Sequence, residues 1–215
     1  MTRSIFLGLA LAAAAPAALA QTSNIDDANK HAWAENIGFT NWRDADSSSR
    51  GVHVYPTHLT GAIWAENTGW IRVGSGPLDG VAYSNKDESD YGINVDVPSG
   101  ELSGYAWGEN IGWVNFKGGA NIGPDKTAMY LYEKRRLAGY VWGENVGWIN
   151  LDHSDAFVAV LCYSDFDANS FVNGDDFDSF VVEFEAGSAA ADIDGNGFTN
   201  GDDFDSFVAA FESGC

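Results

Sequence analysis

Between residues 31 and 161, short apolar runs alternate with polar residues and are separated by Gly and Asn. This period of two is typical of half-buried β-strands. In "INVDV", Ile93, Val95 and Val97 share one face, and Asn94 and Asp96 share the other. After residue 161 the pattern changes, because "FDSFV" occurs twice and places Phe at i and i+3, on one face of a helix. The sequence therefore predicts a mainly β region followed by a small α region.

One unit recurs four times in the β region, with the common core W-[AG]-E-N-x-G-[WF]. All eight Trp lie in these units. Asn tolerates left-handed backbone and Gly adopts it freely, so "EN-x-G" predicts a turn between two strands. Each unit is then a hairpin with one aromatic residue before its turn and one after it. The copies are "HAWAENIGFTNW" from His31, "GAIWAENTGWIRV" from Gly61, "GYAWGENIGWVNF" from Gly104 and "GYVWGENVGWINL" from Gly139.

A third strand precedes three of the hairpins, in "GVHVYPTH", "YGINVDV" and "TAMYLYE". The first hairpin lacks such a strand, and an additional one, "AFVAV", follows the last hairpin. We expect this segment to supply the missing strand, so that four three-stranded β-meander units close into a propeller- or prism-like ring. An open stack is the competing arrangement.

The motif offers two kinds of candidate chemistry. Glu35, Glu66, Glu109 and Glu144 occupy equivalent positions, and paired carboxylates serve glycoside hydrolysis. That reaction needs two carboxyl groups in different environments, whereas four equivalent loops provide similar ones, so we assign the glutamates to the turn. The regular Trp pairs are interpreted as hairpin-stapling core residues. Two alternatives remain open: a carbohydrate-binding module that uses exposed Trp, and a hydrolase on an all-β scaffold.

The N-terminus and the overall charge limit the class of protein. Arg3, an apolar stretch over residues 5–19 and Ala18-Leu19-Ala20 predict a signal peptide over residues 1–20. No other long apolar run follows, so we expect no membrane span in the mature protein and a secreted or cell-surface location. The net charge of −20 argues against nucleic-acid binding. Cys162 and Cys215, the two cysteines, are expected to form one disulfide.

The acidic C-terminal region contains two twelve-residue loops with the pattern of calcium-binding loops. Asp, Asp and Asn stand at positions 1, 3 and 5, Asn at position 9 and Asp at position 12. A calcium ion takes six to eight oxygen ligands, which alternate residues of such a loop supply. The sequence therefore predicts two calcium ions. The expected ligands are Asp165, Asp167, Asn169, the Phe171 carbonyl, Asn173 and Asp176 in the first loop, and Asp192, Asp194, Asn196, the Phe198 carbonyl, Asn200 and Asp203 in the second.

Residues 162–215 resemble a dockerin of the GC type, with type I-like calcium-loop repeats. The resemblance rests on the paired loop-helix segments, the short "LCYS" in place of a first helix, Asp at position 12 and the terminal Gly214-Cys215. It implies attachment to a cohesin or to a cell-surface scaffold protein. Loop positions 10 and 11 would contribute to partner choice, and here they are Gly174, Asp175, Gly201 and Asp202. The repeats of residues 31–151 resemble W-x-E-N-x-G-W segments of uncharacterised secreted bacterial proteins, and that resemblance implies no activity.

The sequence thus predicts a secreted, non-enzymatic protein of two domains. Residues 21–161 form a Trp-rich β-repeat domain, and residues 162–215 form a calcium-dependent dockerin that anchors it. The expected partner is a cohesin-like or cell-surface scaffold protein. A polysaccharide is a second candidate partner, through the carbohydrate-binding alternative.

Overall fold

The computed structural model describes residues 23–46, 50–75, 82–117, 126–166 and 171–214. The predicted signal peptide lies outside these residues. Within them the fold is mainly β, with two α-helices near the C-terminus. The strands are β1 (Ile25–Ala34), β2 (Gly38–Asn41), β3 (His53–Val54), β4 (Leu59–Thr60), β5 (Ala62–Ala65), β6 (Gly69–Arg72), β7 (Ile93–Val95), β8 (Leu102–Gly108), β9 (Gly112–Asn115), β10 (Met129–Leu131), β11 (Arg136–Ala138), β12 (Tyr140–Gly143), β13 (Gly147–Asn150), β14 (Asp152–His153) and β15 (Ala156–Val160).

The four motif copies form four antiparallel hairpins, and the hairpins join edge to edge into a closed barrel. We number them hairpin 1 (β1–β2), hairpin 2 (β5–β6), hairpin 3 (β8–β9) and hairpin 4 (β12–β13). Between hairpins, β2 pairs with β5, β6 with β8, and β9 with β12. The circle closes where β13 pairs with β1, through Trp33 opposite Asn150 and Ala34 opposite Ile149. The propeller- or prism-like arrangement is therefore wrong, because the hairpin edges bond to one another and leave no separate blades.

Small and aliphatic side chains fill the inside of the barrel. On each strand the residues beside the Trp point inward, so Ile63 faces Ile71, and Ala106 faces Val114, across their hairpins. An eight-stranded barrel has an interior that side chains can fill or that holds at most one small ligand. The space left among these residues is about 10 Å³, so the interior is a packed core without room for a ligand. Trp42 and Phe116 close this core as the largest of its fully buried side chains.

The third strands extend the barrel strands beyond one end of the barrel. In β8, Leu102, Ser103 and Gly104 pair with β7, and the residues after Gly104 pair with β9. Gly104 has a φ of +102°, and a Cβ there would collide with the carbonyl oxygen of Gly92, so the strand changes partner at a residue that needs to be Gly. Similarly, β3 pairs with β4, and β10 with β11.

The segment "AFVAV" pairs with the first hairpin, as the sequence predicts. It forms β15, which lies antiparallel to the first part of β1, with Ile25 opposite Val160 and Lys30 opposite Val158. Its other edge contacts β11 at Ala159, opposite Arg136. The side chains of Val158 and Val160 are buried in the barrel core. Strand β15, at the end of the β region, therefore supplies the partner strand for the first part of β1.

The C-terminal region contains two helices that pack through Phe side chains. They are α1 (Gly174–Glu185) and α2 (Gly201–Ser213), each following an acidic loop. Phe180 and Phe207 are fully buried and stack with their ring centroids 3.9 Å apart and their planes at 5°. Phe166 lies edge-on against both rings. This is the face predicted from the repeated "FDSFV". Of the described helices, none combines the length and hydrophobicity that crossing a membrane would require.

Candidate functional site

The second acidic loop brings three carboxylates together. Asp192, Asp194 and Asp203 each place an oxygen within 4.8 Å of the others. These are the predicted ligands at positions 1, 3 and 12, and Asp203 is fully buried. Burial raises the pKa of Asp192, and the neighbouring Asp203 and Asp194 carboxylates raise it further. A cation among the three groups would remove that mutual repulsion, so the arrangement suits a hard, oxygen-liganded ion.

Backbone donors fix the geometry of this loop. The Asp192 carboxylate accepts from the N–H groups of Asn196 (3.1 Å) and Gly197 (2.9 Å). Gly197, at position 6, has a φ of +86°, the left-handed turn that the calcium-loop pattern requires at this point. The Asp203 carboxylate accepts from the N–H groups of Asp194 (3.1 Å) and Asn200 (2.8 Å). Asp203 therefore ties the loop to the start of α2.

Asn200 and Asp203 also form a capping box for α2. The Asn200 side chain accepts from the N–H of Asp202 at 2.8 Å, while Asp203 bonds back to the Asn200 N–H. Asn173 and Asp176 repeat the arrangement at α1. Both Asn–Asp pairs thus have a structural role as capping boxes, whereas the sequence pattern predicts them only as calcium ligands.

The first loop is described only in part. Asp167 and Asn169 lie outside the described residues, and so does Ser170 at the sharp-turn position. Asp165 is partly buried, Asp176 is fully buried, and the Asn173 N–H donates to Asp176 at 2.8 Å. Phe171 and Phe198, whose carbonyls are predicted ligands, both expose most of their side chains.

The predicted partner-binding residues lie on the surface at the helix starts. Gly174 and Asp175 open α1, Gly201 and Asp202 open α2, and all four are exposed. Cys162 is disulfide-bonded, while Cys215, the only other cysteine of the sequence, lies outside the described residues. The predicted pairing of Cys162 with Cys215 therefore stays a prediction.

The second loop packs against the β region. A Cβ on Gly195, at loop position 4, would lie 2.6 Å from the ring of Tyr55, which follows β3. Burial raises the pKa of Tyr55, with the Asp192 and Asp194 carboxylates adding to the effect. Tyr55 in turn stacks on the buried His58, with centroids 4.6 Å apart. Sequence reasoning missed this contact, because nothing local marks Tyr55 as a neighbour of residue 195.

In the β region, the motif asparagines form a ring of equivalent hydrogen bonds at one end of the barrel. Each Asn side chain donates to the backbone carbonyl of residue x in the preceding hairpin's turn. The donor–acceptor pairs are Asn67 to Ile37 (3.1 Å), Asn110 to Thr68 (2.9 Å), Asn145 to Ile111 (3.0 Å) and Asn36 to Val146 (3.0 Å). The motif asparagines lie in the turns, but their side chains join neighbouring hairpins instead of shaping their own turn, where the motif Gly adopts the positive φ.

The motif aromatics lie on the outer wall of the barrel, so their assignment to the core is wrong. The interior is too narrow for four pairs of large rings, and only Trp42 among the eight Trp is buried. The predicted cross-strand pairs are present on the outside, mostly edge-to-face. Their centroid distances are 4.7 Å for Trp33–Phe39, 5.0 Å for Trp64–Trp70, 4.7 Å for Trp107–Trp113 and 4.8 Å for Trp142–Trp148.

Clefts lie between successive hairpins on this outer wall. Cleft 1–2 has Phe39 on one side and Glu66 on the other, and cleft 2–3 has Trp70 and Glu109. Cleft 3–4 has Trp113 and Glu144 and a volume of about 470 Å³. The motif glutamates are exposed, and each of these three lines a cleft. In the described part of the chain, none of the four accepts a hydrogen bond, so their assignment to turn formation gains no support.

Searches for similar proteins found nothing: no family model, no curated protein and no solved structure matches this chain.

Proposed function

We propose that this is a secreted, non-catalytic protein whose C-terminal region is a calcium-dependent anchor of the dockerin type. In this proposal the anchor attaches the β-barrel to a cohesin-like or other scaffold protein at the cell surface. The observation that carries it is the convergence of Asp192, Asp194 and Asp203 in a loop closed by Gly197. The sequence repeats the pattern in phase at Asp165–Asp176.

The residues present fit calcium better than a softer metal. The three converging groups are carboxylates, the Asn196 side chain bonds to Asp194 at 2.8 Å, and hard cations prefer oxygen ligands. Residues 162–215 contain no Lys, Arg or His to neutralise the carboxylates. An exposed Gly–Asp pair stands at the start of each of the two helices. The two loop-helix copies therefore present similar residues at the surface, which supports a role in partner binding.

Calcium titration of the full mature chain by calorimetry tests the metal site. Asp192→Asn should weaken binding at the second loop by about tenfold or more, since it removes a charged ligand. Asp205→Asn is the matched control, because Asp205 is an exposed carboxylate on α2 outside the loop. Equal effects of the two substitutions would contradict a specific calcium site and would indicate a general attraction of calcium to an acidic surface.

Capture of cell-surface proteins on the immobilised chain, with calcium and with chelator, tests the anchor. We expect calcium-dependent capture that is lost when Asp175 and Asp202 are both changed to Lys. Capture that survives in chelator, or that is unaffected by the double substitution, would contradict docking through the helix starts.

A second candidate function, carbohydrate binding by the barrel, is favoured by the outer position of the aromatic pairs. The hydrolase alternative is weaker. Cleft 3–4 does bring Asp87, Glu88 and Glu144 to one place, but all three side chains are exposed. A glycosidase needs one carboxyl group in a desolvated environment, and none of these three carboxyl groups is shielded from solvent. Glycan arrays and reducing-sugar release from polysaccharides test these two alternatives.

A further inference from the structure

Cleft 3–4 has four aromatic residues in its lining, whereas in cleft 2–3 the aromatic residues share the wall with Arg50 and Arg72. Trp113 is 38% exposed and Tyr105 is 39% exposed, and Tyr91 and Trp142 complete the lining. Tyr91 meets Trp113 at 4.9 Å and 85°, and Tyr105 meets it at 6.0 Å and 75°. The rings therefore stand nearly perpendicular to one another and form a corner instead of a single flat platform.

Carboxylates predominate among the charged groups of the same cleft. Asp87, Glu88 and Glu144 line it together with one ammonium group, that of Lys86. The loop that carries the first two is well defined, because the Asn85 side chain accepts from the Gly92 N–H at 3.0 Å and the Asn85 N–H donates to the Asp90 carbonyl at 2.9 Å. The cleft thus combines aromatic faces with an excess of negative charge.

The neighbouring hairpins show what the chain itself places on these rings. Gly61, Gly104 and Gly139 are equivalent, and a Cβ on each would collide with the carbonyl oxygen of Gly51, Gly92 and Thr127, respectively. The residues just before those three carbonyls are therefore equivalent as well. They are Arg50, Tyr91 and Lys126.

Two of these three residues are cations that cover an aromatic ring. The Arg50 guanidinium lies 5.4 Å from the centroid of Trp70, and the Lys126 ammonium lies 5.7 Å from that of Tyr140. In hairpin 3 the same position is Tyr91, and in the part of the chain that the structure describes no cationic group lies over Trp113. Hairpin 3 therefore has a further aromatic ring where hairpins 2 and 4 have a cation, and this ring lies in a cleft lined by carboxylates.

We propose that cleft 3–4 binds an organic ammonium group, such as a quaternary or methylated ammonium of a small molecule or polymer. Aromatic rings attract such a cation through their negative faces, and nearby carboxylates add a charge contribution. A neutral sugar stacks best on one flat ring, whereas these rings form a corner, and it carries no positive charge to complement the net negative charge of the cleft. The proposed site is on the barrel and does not depend on the calcium loops.

The test uses choline, tetramethylammonium and the neutral carbon isostere of choline, titrated into the full mature chain by calorimetry and ligand-observed NMR. We expect the two ammonium compounds to bind in the millimolar range or tighter, and the isostere to bind about tenfold more weakly. Chelation of calcium should leave this binding unchanged. Equal binding of the isostere, or no binding of either ammonium compound, would overturn the proposal. Tighter binding of neutral oligosaccharides in the same cleft would also overturn it.

Two variants test the binding, and Glu144→Gln is the one specific to this cleft, because Tyr91 also lines cleft 2–3. Tyr91→Arg gives hairpin 3 the internal cation of its neighbour and should abolish ammonium binding. Glu144→Gln should weaken binding by about three- to tenfold, a size expected for one exposed charge near the ligand. Glu109→Gln is the matched control, since it is the same motif position in cleft 2–3, where Arg50 and Arg72 also line the wall. If Tyr91→Arg fails to fold, the pair of glutamate variants still decides, and equal effects at the two positions would contradict the assignment.

Discussion

Asn36 in the first hairpin donates a hydrogen bond to the carbonyl oxygen of Val146 in the last hairpin, at 3.0 Å and across 110 residues of sequence. The same bond joins each of the other neighbouring hairpins, so this one completes the ring. Its partners come from the two ends of the repeat, where β13 also pairs with β1. A residue that looks like part of a local turn therefore has a long-range role in closing the barrel.

We expect Asn36→Ala to destabilise the barrel by about 1 kcal/mol, because the Val146 carbonyl loses its side-chain donor. Chemical denaturation followed by tryptophan fluorescence measures this, since all eight Trp lie in the barrel region. Glu35→Ala is the control, because it removes an adjacent exposed side chain without a hydrogen bond in the described structure. Equal stability of the two variants would show that the Asn–carbonyl bond contributes little to closure.

Thr68 occupies the motif position that is Ile37, Ile111 and Val146 in the other hairpins. Its hydroxyl is buried and has no hydrogen-bond partner among the described residues. Thr68→Val should therefore stabilise the barrel by about 1 kcal/mol, since it removes an unsatisfied polar group at nearly constant shape. Thr40→Val is the matched control.

The Thr40 control should behave in the opposite way. The Thr40 hydroxyl accepts from the Trp42 ring N–H at 3.1 Å and lies 3.3 Å from the Ala32 carbonyl oxygen, to which it donates. Replacing it leaves the buried indole N–H unsatisfied, so Thr40→Val should lower stability. Urea unfolding of the two variants side by side tests the difference, and the same sign of change in both would contradict it.

These residues also show how far the sequence could predict the fold. The hairpins, the Trp pairs and the pairing of β15 follow from local patterns: turn residues, alternation and one hairpin that lacks a third strand. The edge-to-edge barrel does not, because it depends on contacts such as Asn36–Val146 between distant copies. The direction of the Trp side chains was predicted wrongly for a related reason. Alternation of residue types separates the two faces of a strand. The width of the closed barrel then decides that the face with the smaller side chains points inward.

The acidic loops were easier to predict than the barrel clefts. Calcium-loop spacing is local, so Asp192, Asp194 and Asp203 could be grouped from sequence alone. Tyr105 and Trp113 lie on one predicted hairpin, but Tyr91 comes from a loop that meets them only in the folded barrel. The one signal in the sequence is that Tyr91 occupies the position held by Arg50 and Lys126 before the neighbouring hairpins. That equivalence is recognised only in the structure, where the backbone carbonyls that face the equivalent glycines align the three segments.

Strand β15 should be essential for the stability of the barrel. A chain that ends at Asp155 loses the buried Val158 and Val160 and leaves the first part of β1 and the edge of β11 unpaired. We expect it to be less stable by several kcal/mol than a chain that ends at Leu161, on the order of 2 kcal/mol for each buried Val. Equal melting temperatures of the two chains would contradict this role of β15.

His58 should make the β region sensitive to acid. Burial, together with charge repulsion by His53, lowers the pKa of His58 to about 4. The unfolded chain binds a proton near pH 6.5 and the folded chain does not, so stability should fall as the pH decreases from about 6.5 to 4. His58→Phe should reduce this loss by on the order of 2 kcal/mol, measured as the slope of unfolding free energy against pH with calcium absent. An unchanged slope would contradict the assignment to His58.

Removal of calcium together with reduction of the disulfide should unfold the C-terminal region while the barrel stays folded. Without an ion, the carboxylates of Asp192, Asp194 and Asp203 repel one another, and residues 162–215 contain no basic side chain to offset them. A bond between Cys162 and Cys215 would restrict the unfolded chain. Its entropic contribution of about 4 kcal/mol is large beside the stability of a small pair of helices packed through Phe side chains.

The two regions have separate signals, because Trp is confined to the barrel region and the described α-helices are α1 and α2. We therefore expect chelator plus reductant to abolish the helical circular dichroism without changing tryptophan fluorescence, and added calcium to restore it under oxidising conditions. Loss of both signals together would show that the contact of Tyr55 with Gly195 makes the two regions one cooperative unit, and retention of both would contradict the coupling of ion binding to folding.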